Sequence, residues 1–134
     1  MLETIKIFVV LAIGWVGVHS DLPTQDPIYS VELRSPVGIA EMGQGVRAAY
    51  NPGRNIIILS NTLDLSNRVQ ASFVVHEVTH LLQDTMMERG GPHMNYCQIE
   101  RQAYEMGFLW LADHGIETFL APEVFLPPEC RTPL

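Results

Sequence analysis

A chain of 134 residues is long enough for one domain and too short for two, and its 47% hydrophobic content is ample for a core. The formal net charge is −7 and Lys6 is the single lysine. That balance argues against nucleic acid and anionic membrane surfaces as partners, since both call for basic patches.

Residues 1–20 stand apart. Positions 7–18 form an almost unbroken apolar run behind Lys6, short for a comfortable bilayer span, and Val18-His19-Ser20 offers small side chains where a signal peptidase reads. The segment reads as a cleaved secretory signal, with an uncleaved N-terminal anchor as the alternative. The bland reading, an ordinary core helix or strand, is opposed by Asp21, Pro23, Asp26 and Pro27, which break the pattern at once. Residues 21–134 then form a single domain, secreted or periplasmic. In that setting Cys97 and Cys130 suggest a disulfide that ties the C-terminal tail to the start of the second long helix. Two free thiols would be expected of a cytosolic chain.

After a proline-containing linker at 21–27, residues 28–33 alternate loosely and read as a first strand. Residues 36–45 hold three glycines and Pro36 and read as a loop, with a turn of helix open to Ile39-Ala40-Glu41-Met42. Residues 46–50 and 55–59 are apolar runs around Asn51-Pro52-Gly53-Arg54, a strong turn signal, so they form a hairpin. Ile56, Ile57 and Ile58 are β-branched in succession, which favours strand. A long helix capped by Asp64 or Ser66 runs to about Met87, and Gly90-Gly91-Pro92 ends it. A second long helix runs from about Tyr96 to His114, stopped by Gly115. On it Glu100, Tyr104, Phe108 and Leu111 share one stripe, so a carboxylate and a phenol turn towards an otherwise apolar interior. A short turn of helix can precede Pro122, and Pro127-Pro128 opens an irregular tail. The fold class is α+β.

The first long helix carries His76-Glu77-Val78-Thr79-His80. Two histidines at i and i+4 project from one face and can grip one metal ion, usually Zn²⁺. Glu77, beside them, is placed to take a proton from a water held there, so the pattern implies metal-assisted hydrolysis. Chance produces such a pattern in about one chain in a few hundred. Two features lower that reading here. The helix is apolar nearly all round, and burying three unpartnered ionisable groups would cost several kcal/mol. Glu100 also follows His80 by twenty residues, across a helix–loop–helix connection that can return its carboxylate to the same ion. Cys97, if reduced, and His93 are alternative third ligands. His114 and His19 are incidental.

With Glu100 as third ligand, the chain resembles the gluzincin branch of zinc metallopeptidases, and especially its smallest members. The resemblance covers roughly residues 46–111. It implies a minimal zincin-like fold, in which a short antiparallel sheet packs on the active-site helix and a second long helix. It further implies one Zn²⁺ on His76, His80 and Glu100, with Glu77 as general base for hydrolysis of a peptide or protein substrate. The strand Ile56, Ile57, Ile58, Leu59 and Ser60 resembles the edge strand that holds extended substrate.

The chain departs from the family in two places. Tyr104 stands where the family often has an aspartate that orients a histidine ligand. No C-terminal subdomain is long enough for the usual pocket wall or oxyanion donor, which leaves Tyr96, His93 and Tyr50 as candidates by proximity. A protein partner completing the cleft would answer this, as would the rival function, a non-catalytic secreted zinc-binding or interaction domain.

Overall fold

The structure, a computed structural model, describes residues 1–40, 47–118 and 121–132. Among them are four α-helices, α1 (Leu2–His19), α2 (Pro36–Ala40), α3 (Arg68–Glu88) and α4 (Tyr96–Asp113), and three strands, β1 (Ser30–Arg34), β2 (Ala48–Asn51) and β3 (Ile56–Ser60). The class is α+β, as expected from the sequence.

The sheet has the order β1-β3-β2 and is mixed rather than antiparallel. β2 and β3 form the expected hairpin, while β1 runs parallel to β3, Ser30 opposite Ile56 and Arg34 opposite Ser60. The segment expected to be an edge is therefore the centre. All five β3 residues are buried because both faces are covered. Ile57 and Leu59 point into the main core, whereas Ile56 and Ile58 meet Ile39 of α2. A continuous apolar run is what such a two-sided position demands. The edge on the hairpin side is β2. Its turn uses Asn55 at φ 53, a left-handed conformation that asparagine tolerates well.

The first strand starts two residues later than expected, and helix α2 takes residues 36–40 of the expected loop. The rest of that loop, from Glu41, and Val46 of the first hairpin strand lie outside the described residues. α3 is capped by Asn67, whose side chain accepts from the Gln70 N–H at 3.1 Å. Asp64 instead accepts from the Ser66 N–H and hydroxyl, closing the preceding turn. α4 opens on a capping box, Asn95 and Gln98 each accepting the other's backbone N–H at 2.9 Å. Gly115 ends it at φ 81, with the Ile116 N–H reaching back to the Leu111 carbonyl. Residues 119–120, within the helical turn expected before Pro122, are not described; a 3₁₀ turn runs Pro122–Phe125.

α1 is long and apolar enough to cross a membrane, yet one of its faces belongs to the core. Ile5, Val9, Ala12, Ile13 and Val16 are buried in the same cluster as Val74, Val78 and Leu82 of α3. Phe8 meets Trp110 edge-on, and the Trp15 indole N–H donates to Asp113 at 3.0 Å. The opposite face leaves Ile7, Val10, Leu11 and Val18 exposed.

Candidate metal centre

α3 and α4 pack side by side, and this contact builds the site. His76 and His80 stand one turn apart on α3, and Glu100, in the second turn of α4, faces both. Glu100 Oε1 lies 3.1 Å from His80 Nε2, and Oε2 lies 3.8 Å from His76 Nε2. The two Nε2 atoms are 3.1 Å apart. These separations are close to those of a four-coordinate ion, since donors about 2.1 Å from one centre sit about 3.4 Å from each other in a tetrahedron.

The polarity of the donors agrees. Gln83 is 1% exposed, and its amide N–H₂ donates to the Ile99 carbonyl at 3.0 Å and to Gln102 at 2.9 Å. A carbonyl can only accept, so the amide orientation is set and Gln83 Oε1 must face His80 Nδ1, 3.0 Å away. His80 Nδ1 therefore carries a proton. In the neutral ring Nε2 is then a lone pair aimed at a carboxylate oxygen and at a second imidazole nitrogen. Such a group needs a cation at its centre, either a proton or a metal.

The titration of the group follows the same logic. Burial, helped by His80, pushes His76 down to about 3. For His80, burial acts downward but is outweighed by the Glu100 hydrogen bond and the charges of Glu77 and Glu100, so it lies above its ordinary value. Burial would raise Glu100, yet the His80 hydrogen bond and both imidazoles hold it low. Glu77 lines the adjoining cleft, partly open to solvent, and burial, with Glu100 adding to it against the opposing pull of His80, raises its carboxyl to about 7. A carboxylate so placed can exchange a proton near neutral pH.

The cleft is a cavity of about 640 Å³ between β2 and the two helices. Tyr96 and Tyr104 line it and His93 does not: His93 lies exposed in the interhelical loop, away from the ligand group. Cys97 is excluded as a ligand because it is bonded to Cys130, the pairing expected for an exported chain. Tyr50 stacks on His80, but its hydroxyl donates to Asp84 at 2.9 Å and is thereby engaged. Tyr104 meets the His76 ring edge-on at 4.4 Å, so it packs against one candidate ligand, whereas Gln83 makes the hydrogen bond that orients the other, His80. Gln83 follows His80 by three residues on the same helix face, the one sequence signal that pointed to it.

The chain matches no protein-family model, no curated protein and no solved structure.

Proposed function

We propose that this chain is a zinc-dependent metallopeptidase with a minimal zincin-like fold of the gluzincin type. The observation that carries the reading is the convergence of His76, His80 and Glu100, whose three ligand atoms lie within 4.8 Å of one another, beside a cleft that Glu77 also lines. These three side chains would hold one Zn²⁺, the ion best suited to two imidazoles, a carboxylate and an open position. What zinc supplies when bound is Lewis-acid polarisation of a carbonyl and acidification of a water.

The chain's own residues supply the rest. Glu77 accepts a proton from the attacking water and returns it to the leaving amine. Gln83 holds His80 in the tautomer that presents Nε2. β2, the edge strand beside the cleft among the described residues, offers its outer backbone to an extended peptide, a role first expected of β3. Tyr50, Tyr96 and Tyr104 all line the cleft, and with the Tyr50 hydroxyl engaged by Asp84, Tyr96 and Tyr104 are the candidates for stabilising charge on the substrate oxygen. The Cys97–Cys130 bond fits an oxidising compartment. The core packing of α1 favours a chain that keeps residues 1–20 over one cleaved near Asp21.

The rival reading, a non-catalytic zinc domain, draws support from Tyr50, whose engagement with Asp84 removes one oxyanion candidate. Glu77→Gln separates the two. It keeps size and removes the basic oxygen, so zinc content and fold should persist while peptide hydrolysis falls by roughly a few hundredfold or more. A zinc-loaded wild type that cleaves nothing across a broad peptide library, or equal cleavage with glutamine at 77, rejects the enzyme.

A further inference from the structure

Helix α1 turns to the outside a face that the core leaves unused. Ile7, Val10, Leu11, Gly14 and Val18 recur at the spacing of one helix face, and the four aliphatic side chains among them are 59–81% exposed. Among the described residues, nothing lies within 4 Å of where a side chain on Gly14 would begin, so the face is open along its middle. Residues 7–18 carry no charged side chain. Glu3 and Lys6, paired at 4.0 Å, mark the N-terminal end of the face. A shallow hollow of about 240 Å³ there is lined by Lys6, Ile7, Val10 and Leu11.

Size and charge decide what can cover this face. Four such side chains present on the order of a few hundred Å², the scale of a patch with a binding role. A stable complex between copies buries about 800 Å² on each partner, and two chains of net charge −7 repel as they approach. A protein interface also needs hydrogen-bonding groups around its apolar centre, and the side chains of residues 7–18 on this face offer none. Liquid hydrocarbon needs neither a matching shape nor partner groups. The Lys6 stem borders the hollow, and its ammonium, half exposed, can reach a lipid phosphate. Anionic headgroups would repel the rest of the chain.

We infer that α1 seats its outer face on the surface of a zwitterionic phospholipid bilayer while its inner face stays in the core. The chain then lies on the membrane without spanning it, a mode open to a helix with one apolar face free. α1 packs on α3 and shares a core cluster with Val74, Val78 and Leu82. Those three project from the side of α3 about 160° around the helix from His76 and His80. Among the described residues, none from α1 lines the cleft. The cleft therefore opens away from the bilayer, into water. The inference stands independently of the peptidase reading.

The test uses the full chain and vesicles of phosphatidylcholine. The protein should float with the vesicles and keep, when bound, the near-ultraviolet circular dichroism of its two tryptophans. Both report on the contact of α1 with α4, since Trp15 donates to Asp113 and Trp110 meets Phe8. Leu11→Ser should lower the partition coefficient about tenfold, the effect of taking one large aliphatic side chain out of hydrocarbon. Ile7→Ser together with Leu11→Ser should lower it about a hundredfold. Both side chains are exposed, so Tm in solution should stay within about 3 °C of the parent. No flotation, flotation only with added phosphatidylserine, or binding unmoved by the double variant would each overturn the inference. Loss of the tryptophan signal on vesicles would show α1 leaving the core to span the bilayer, and would overturn it too. A dimer in vesicle-free solution that Leu11→Ser dissociates would assign the face to a second copy instead.

Discussion

Gln83 governs the orientation of His80, and its own position is fixed from the other helix by Ile99 and Gln102. Methionine is close in shape and lacks both the acceptor and the donors. Gln83→Met should therefore release the tautomer and weaken metal affinity by about 10-fold to 100-fold, the usual effect of removing a group that orients a ligand. Competition with a chromophoric chelator measures this, with circular dichroism to verify that the helices persist. Unchanged affinity would mean that Glu100 and the helix alone set the ring. Tyr104 stands where the resembled family often has an aspartate that orients a ligand, and its ring rather than its hydroxyl meets His76. Spacing shows that a side chain faces a site, but not whether its polar tip or its ring arrives there.

Helix α1 poses the corresponding question for an element. A helix apolar on every side has the composition of a signal, an anchor or a core helix alike, and only its neighbours distinguish them. Here Ile5, Val9, Ile13 and Val16 are 0–8% exposed against α3 and the sheet. Burying four such side chains is worth at most about 6–12 kcal/mol, of the order of a small domain's whole stability. Removing residues 1–20 should abolish cooperative melting or lower Tm by roughly 15 °C or more, with increased binding of a hydrophobic dye. A trimmed chain melting at the parent temperature would place α1 outside the core and restore the cleaved-signal reading.

A metal bound at the candidate site would also join α3 to α4, because His76 and His80 come from α3 and Glu100 from α4. The unfolded chain holds no such site, so binding should stabilise the native fold by mass action, about 2.7 kcal/mol at a hundredfold excess over Kd. Added Zn²⁺ should raise Tm by roughly 5 °C or more, a chelator should reverse the rise, and His80→Ala should remove it. The absence of any zinc-dependent shift in the wild type would count against a resident metal. The cleft is open along β2, so activity should appear first on short or unfolded peptides.

Local signals in the sequence sufficed for the α+β class, the two long helices, the hairpin, the glycine that ends α4 and the His76–His80 pair of the candidate site. Each depends on contacts a few residues apart or on an i,i+4 spacing that any helix imposes. The pairing of Cys97 with Cys130 was equally legible, there being only two cysteines to pair. What only the tertiary structure decided was set by residues far apart in the chain. β1 adds beside β3 and turns an expected edge into the centre of the sheet. Trp15 reaches Asp113, 98 residues away, and draws α1 into the core. Arg101 and the disulfide lay Phe125 against Phe108, fixing a tail that composition marks only as irregular. Such contacts depend on how preformed elements fill space together, and sequence periodicity within each element carries no record of which neighbour its buried face will meet.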